Sequence, residues 1–205
     1  MVILINPGTT FGPVARREFT AKNGTQVVLR EPVSTDAKSM MRYINSVIRE
    51  RRSGIVMDRP VTLKQEEAWL KARLEEIRMR SAVMLVAEVD GRIVGNCHVT
   101  RRPWKERHRA MIGVALVKGM RGIGIGRALM NETMDLSKRR MRGLESFDLS
   151  VLDYNEAAQT LYRSLGFVEA GCIPDAMKED GEYSDEMLMV LPGKRRRRAR
   201  KKGSA

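Results

Sequence analysis

Residues 121–127 read RGIGIGR and fall between an apolar run at 110–117 and a helix-like segment at 125–140. No other stretch constrains the fold as much. Glycine has no Cβ, so its backbone turns where other residues clash and lets a ligand come close. The helix that follows adds the positive end of its dipole. Strand, glycine turn and helix in that order form a cradle for phosphate groups and imply a sheet with helices packed on it. Spacing narrows the kind of site. A Walker A loop ends in Gly-Lys-Ser/Thr, but Arg127 and Ala128 follow Gly126. A dinucleotide fingerprint needs G-x-G-x-x-G, and counting from Gly122 or Gly124 puts Arg127 or Leu129 where the third glycine belongs. The pattern that fits is R-x-x-G-x-G, met by Arg121, Gly124 and Gly126.

The rest of the chain gives these residues a frame. Residues 26–30 read as a short strand. Residues 36–51 carry Met40, Tyr43, Ile44, Val47 and Ile48 on one helical face. Thr62 caps a second helix, with Glu66 near the position that completes a capping box; its apolar set is Trp69, Leu70, Leu74 and Ile77. Residues 83–89 and 93–99 read as strands joined by Asp90-Gly91, a strong hairpin signal. A charged loop spans 101–109, and a further strand 110–117 leads into the glycine turn. A helix at 125–140, a strand at 147–152 and a helix at 155–165 follow. Residues 167–171 and 187–191 pair around Gly181. The order β-α-α-β-β-β-α-β-α-β-β indicates an α/β fold with a mixed sheet. Residues 1–25, rich in Gly and Pro, read as an extension with little regular structure.

A second motif joins the first. Asn155, Ala158, Leu161, Tyr162, Gly166 and Phe167 spell N-x-x-A-x-x-L-Y-x-x-x-G-F. With the glycine pattern before it, the chain resembles the GNAT (GCN5-related N-acetyltransferase) superfamily, most specifically over residues 112–167. The resemblance implies a GNAT fold with a mixed, mostly antiparallel central sheet flanked by helices, over residues 26–192. It implies acetyl-CoA as co-substrate and transfer of the acetyl group to an amine. Val114, Ala115 and Leu116 match the strand that lends its backbone to the pantetheine arm and the thioester. There an N–H stabilises the oxyanion, a donor contributing ~3–4 kcal/mol in other enzymes. Gly122, Ile123, Gly124, Ile125, Gly126 and Arg127 match the turn around the pyrophosphate. The Arg127 side chain adds charge there or is a solvated helix residue. Asn155 matches a contact to the CoA arm and is also placed to cap its helix. Tyr162 matches the acid that returns a proton to the departing thiolate, and it also lies on an apolar stripe.

The resemblance supplies no base. The two usual carboxylate sites hold Met111 and Ser150, leaving a water chain, His98 or Glu88 as conceivable substitutes, or an amine that arrives neutral. The segments that set the acceptor are residues 53–61 and 176–185. The second, with Asp175 beside it, carries Glu179, Asp180, Glu182 and Asp185, either an acidic rim that steers a cation or an exposed polar hairpin; Tyr183 is a candidate contact to a peptide backbone. The expected acceptor is a primary amine, a protein N-terminus or lysine. A small amine such as a polyamine or amino acid stays open, as does a catalytically silent GNAT-like protein that binds nucleic acid.

Composition sets the outer bounds. Hydrophobic residues make up 42% of the 205, enough for a sizeable core. No stretch approaches the ~20 apolar residues that cross a bilayer, and no signal peptide is recognisable, so the cytoplasm is the expected location and no membrane the expected partner. Two cysteines make neither a disulfide framework nor a zinc set, and no metal is expected. Of the net charge of +13, eight units lie in residues 194–202, KRRRRARKK, leaving +5 elsewhere. Such a run is expected to be disordered, so residues 193–205 read as a basic tail. It binds nucleic acid or the ribosome non-specifically, or has no specific partner; it has no aromatic residue for base stacking. A homodimer stays open.

Overall fold

The computed structural model describes residues 16–193. Residues 1–15 of the expected extension, and the expected tail beyond Gly193, lie outside them. The elements are β1 (Arg16–Thr20), β2 (Gln26–Arg30), α1 (Ala37–Ile48), α2 (Leu63–Arg78), β3 (Ala82–Val89), β4 (Arg92–Arg101), β5 (Arg109–Leu116), α3 (Ile125–Arg140), β6 (Ser146–Leu152), α4 (Glu156–Ser164), β7 (Val168–Glu179) and β8 (Glu182–Leu191). They form one eight-stranded sheet in the order β1-β2-β3-β4-β5-β6-β8-β7. Every pairing is antiparallel except β5 with β6.

The expected element order holds, with one correction. Residues 16–25 are not irregular: β1 pairs with β2 from Arg16↔Arg30 to Thr20↔Gln26. The hairpin signal is Asn23-Gly24. Gly24 takes φ 88 and its N–H donates to Ala21 O, so the turn closes between the strands. Ala21 is buried and Phe19 packs on the core. Asp90-Gly91 forms its hairpin as expected, both residues at positive φ. The last hairpin is longer than its apolar ends suggest, because Asp180 and Gly181 are likewise both left-handed and carry the pairing to the turn. At α2, Thr62 is the N-cap, but Gln65 completes the capping box, accepting from Thr62 N–H at 2.8 Å. Glu66 is one residue too far along.

Both faces of the central strands are covered, so β3 is apolar almost without interruption. Val83, Leu85, Ala87 and Val89 point into the core under α3 and α4, while Met84 and Val86 point into the smaller core under α1 and α2. The parallel pair positions the site. β5 and β6 share only Arg109↔Ser146, Ala110↔Phe147 and Met111↔Asp148. Beyond them β5 continues along β4 to Leu116 and β6 continues along β8 to Leu152. The sheet splits into a V whose arms are joined by α3. Among the described residues no helix is long and apolar enough to cross a membrane.

Candidate active site

The split leaves one edge of β5 open. Ladder parity identifies which groups face it. Val117 N–H donates to Val94 O at 2.9 Å, so odd-numbered residues turn their backbone toward β4. His108 O accepts from Glu145 and Ser146 N–H, so even-numbered residues turn toward β6. Val114 and Leu116 therefore present N–H and C=O to the opening, while Ala115 faces β4. Leu116 O accepts from Arg121 Nε at 2.9 Å, and Arg121 also pairs with Glu50 at 2.8 Å. The Arg121 side chain thus ties the glycine turn to β5 and α1 rather than lying free for a ligand.

The turn itself is an array of unpaired donors. Gly122 and Gly124 take φ 77 and 99, a region that other residues enter only with strain. Gly124 is the N-cap of α3 and no side chain caps it. Ala128 N–H is the first in the helix to find an acceptor, Gly124 O at 3.1 Å. The N–H groups of residues 122–127 have none among the described residues. Uncapped amides at a helix start attract an anion. Ile123 O is held by Lys22 N–H at 3.1 Å, and Ile125 is fully buried, so the loop is anchored on both sides. Gly126 lies between Leu116 and Leu161, whose side chains would stand 3.4 Å from a Cβ placed there. The Arg127 guanidinium donates to Ser164 Oγ at 2.7 Å, bridging α3 to α4.

α4 closes the other arm of the V. Asn155 Oδ1 accepts from Ala158 N–H at 3.2 Å and caps the helix, and its Nδ2 lies against Gly54 of the loop between α1 and α2. Tyr162 is 6% exposed, with its ring against Phe167. Its hydroxyl has no hydrogen-bond partner among the described residues, yet it is not sealed from solvent. Burial, and secondarily the Cys97 thiol, raise its pKa and keep the phenol protonated. Cys97 is the register partner of Val114. Tyr162, Cys97 and Val114 belong to one core cluster.

The β7–β8 hairpin, expected to set the acceptor, meets Arg51 and Arg52, which immediately precede the other expected segment, residues 53–61. Arg52 N–H donates to Glu179 at 3.1 Å, Arg52 reaches Glu182 at 3.6 Å and stacks over Tyr154, and Arg51 approaches Asp180 at 3.9 Å. Asp185 accepts from Asp175 N–H. Two of the hairpin acids thus pair with arginine side chains and Glu179 accepts from a main-chain N–H, which weakens the acidic-rim reading. Tyr183 is engaged by Lys178. Glu88 is tied to Arg30 at 2.8 Å, away from the opening. His98 lies beside Gly113, with Nδ1 buried and unpartnered. Burial, then Arg73, lower its pKa to about 4, so it is neutral but a feeble base. Met111 is the last paired residue before the split.

Two further carboxylates were not singled out for chemistry by the sequence. Glu186 accepts from Ser150 Oγ at 2.5 Å. Glu66 is buried, its side chain has no hydrogen bond or ion pair among the described residues, and burial raises its pKa. Its position follows from the packing of α2. Arg73 bonds Thr100 on β4 at 2.8 Å. Glu66 is about 10 Å back along the helix, a distance matched by the strand from Thr100 to Asn96, about 13 Å. Tyr43, whose hydroxyl lies 3.0 Å from Asn96 Oδ1 and 3.1 Å from Ala115 O, feels the Glu66 charge. Glu66 thus lies on α2, which packs beside α1 and against β3 on this side of the sheet.

Known proteins share this arrangement. The structure superposes on a ribosomal-protein-alanine N-acetyltransferase from Brucella melitensis with TM-score 0.71 at 25% identity, covering 80% of this chain and 98% of that one. It also superposes on a GNAT superfamily phosphinothricin acetyltransferase from Sinorhizobium meliloti in complex with AcCoA, with TM-score 0.70 at 21% identity, covering 85% and 89%. In sequence it is 30% identical over 128 residues to an N-alpha-acetyltransferase of Sulfurisphaera tokodaii, 58% of this chain and 74% of that one. The profile of the acetyltransferase (GNAT) family matches residues 48–167, from the end of α1 through both motifs. Matched over more than half its length, and with the glycine turn and the split strands in their places, this chain belongs to the GNAT acetyltransferases.

Proposed function

We propose that the enzyme acetylates the N-terminal α-amino group of proteins, with acetyl-CoA as donor. The observation that carries the donor half is the joint array of free amides at residues 122–127 and the open Val114–Leu116 edge, which fits a diphosphate followed by an amide-bearing arm. Acetyl-CoA supplies an acyl carbonyl activated by a thiolate leaving group. Gly122, Ile123, Gly124, Ile125, Gly126 and the Arg127 backbone hold the diphosphate. Val114 N–H hydrogen-bonds the acyl oxygen as it gains charge. Asn155 Nδ2 contacts the arm while Oδ1 caps α4. Tyr162 O–H returns a proton to sulfur.

Glu66 is the group we assign as base. An unpaired carboxylate with a raised pKa is closer to the ideal for proton abstraction near neutrality. An α-amine, with an ordinary pKa of about 8, presents an appreciable neutral fraction at pH 7, whereas lysine at about 10.4 does not. A modest base therefore suffices for the former. The protein acceptor is supported by the two relatives named for protein acetylation. The test is mass spectrometry after incubation with labelled acetyl-CoA. Free N-terminal peptides should be labelled well before N-terminally blocked, lysine-containing ones. Labelling confined to polyamines or free amino acids would overturn the acceptor assignment.

A further inference from the structure

The acids on the face where β5 and β6 part can be sorted by what already holds them. Alternate residues of a strand share a face. Met111 pairs with Asp148, so Met111, Gly113 and Ala115 share a face with Asp148, Ser150 and Leu152. Ala115 packs on the smaller core, under α1 and α2. Ser150 in turn lies opposite Leu188 on β8, and Leu152 opposite Glu186. Ser150 and Glu186 therefore project on the α1–α2 side of the sheet, opposite the core that holds Tyr162.

Two of the acids on this face differ in their partners. Asp148 sits at the last rung of the parallel pair and meets Arg102 at 2.5 Å and Arg109 at 3.2 Å, so its charge is matched. Glu186 is half-buried and meets no cation among the described residues. The Ser150 hydroxyl donates to its Oε1 and leaves Oε2 without a partner among the described residues. A hydroxyl orients a carboxylate but does not neutralise it. Ser150 is two residues past the last rung, about 7 Å along β6. Gly113 is the same step along β5, next to the Val114 N–H assigned to the acyl oxygen. Ser150, Met111 and Leu188 are exposed, so the hydroxyl and its neighbours are open to a ligand.

Resting on the donor site assigned above, we propose that Glu186, oriented by Ser150, binds the ammonium group of the acceptor and so selects cationic amines. An ammonium carries three N–H donors. Glu186 Oε2 and the lone pairs of Ser150 Oγ offer adjacent acceptors, and the carboxylate charge strengthens the bond. Once one proton leaves, the amine keeps N–H bonds for Glu186 while its lone pair is free to attack, so the hold does not oppose transfer. A divalent cation is the other ligand that an unmatched carboxylate suggests, but no three metal-ligating side chains come together among the described residues. Glu186 thus acts on recognition, whether the amine is a protein N-terminus, a lysine or a small amine.

The test uses the full chain, free-thiol release at saturating acetyl-CoA, and three amines: a peptide with a free N-terminus, an N-terminally blocked lysine peptide and a polyamine. Kinetics are followed on whichever of these the parent acetylates. Calorimetry on the enzyme–CoA complex compares that amine with its analogue carrying a hydroxyl in place of the amine. Glu186→Gln, neutral and of equal size, should raise KM for the amine about 10-fold or more and weaken its binding likewise, leaving the hydroxyl analogue within about two-fold. The change in kcat should be much smaller than that in KM. Ser150→Ala should raise KM about three-fold, and Ser150→Thr, which keeps the hydroxyl, should restore it. Acetyl-CoA affinity checks that each variant is folded, and Ser150→Ala, at an exposed position, carries the test if Glu186→Gln does not fold. An unchanged KM in the folded Glu186→Gln variant overturns the proposal. So does equal weakening of amine and hydroxyl analogue, since the side chain then only shapes the groove. A fall in kcat with KM unchanged overturns it by making Glu186 the base. Acetylation of the polyamine alone removes the protein acceptor proposed above, and the Glu186 comparison is then read on that amine. A parent chain that acetylates none of the three overturns both.

Discussion

Gly124→Ala is the sharpest test of the donor site. Gly124 has φ 99 and ψ −10, and a Cβ added there would meet nothing closer than Lys22 Cγ at 3.9 Å. The substitution therefore brings no clash, only the left-handed backbone penalty of about 1–2 kcal/mol. If the turn keeps its shape, the fold bears that cost. A domain this size loses about 2–4 °C of Tm per kcal/mol, so a fall of roughly 2–8 °C is expected. If the turn relaxes, the amides of residues 122–127 swing out of convergence. A hydrogen bond to a charged group contributes about 1.5–3 kcal/mol, so misdirecting one amide lowers acetyl-CoA affinity about 10- to 150-fold. The assay compares acetyl-CoA with S-acetylpantetheine, which lacks the diphosphate, by free-thiol release. KM for acetyl-CoA should rise while kcat/KM for the truncated donor stays within about two-fold. Equal losses with both donors would mean that the turn does not hold the diphosphate. No loss with either at a Tm lowered by roughly 2–8 °C would mean that the turn keeps its shape, and no loss at an unchanged Tm would refute the strain assigned to Gly124.

Tyr162→Phe should lower kcat by about 100-fold and leave acetyl-CoA affinity, measured by calorimetry, nearly unchanged; full turnover would remove the phenol from the chemistry. Glu66→Gln should abolish the acid limb of the kcat/KM profile. Because burial raises the Glu66 pKa, its ionisation opposes folding, so stability is greatest below the ordinary glutamate value of 4.5 and declines as pH rises through the folded-state value. Glu66→Gln should therefore raise Tm at pH 7–8, with the difference vanishing below pH 4.5, and a variant less stable at pH 8 contradicts the burial argument. His98 is held neutral by burial, with its pKa lowered from 6.5 to about 4. Its contribution is present above pH 6.5 and is lost as pH falls toward 4, so His98→Gln should flatten the melting-temperature profile across that window.

The turn at the proposed donor site was readable because glycine spacing is a direct record of where a main chain must turn. The structure has the expected turn at Gly122 and Gly124, the expected helix α3 after it and the expected helix α4 at Glu156–Ser164. The split between β5 and β6 was not readable. A parallel pair joined through α3 has no hairpin signal, and nothing in the apolar run 110–117 marks Met111 as its last partner. The strand β1 was missed for a different reason. Arg16–Thr20 lies at the sheet edge and carries a single large apolar residue, Phe19, so its only trace was the Asn23-Gly24 turn after it. The Arg121 side chain shows a limit of motif reading. The motif takes Arg or Gln at this position, and the structure spends the Arg121 guanidinium on Leu116 O and Glu50.

The proposed base was hidden by a one-residue ambiguity at the start of α2. In LKQEEAWL, Gln65 and Glu66 both suit the box opened by Thr62, but Thr62 is the N-cap, so N3 is Gln65. Once Gln65 takes that role, Glu66 is left three residues after Leu63 and four before Leu70, on the helix stripe that turns inward. Leu70 is fully buried against Met84 and Val86. An acid in line with such a residue is desolvated unless it finds a partner, and Glu66 finds none among the described residues. A partly desolvated carboxylate with no counter-ion among the described residues is costly to the fold, and the proposed role as base would give that cost a purpose. Stripe position, then, rather than a catalytic motif, is the sequence signal by which a base of this kind is found.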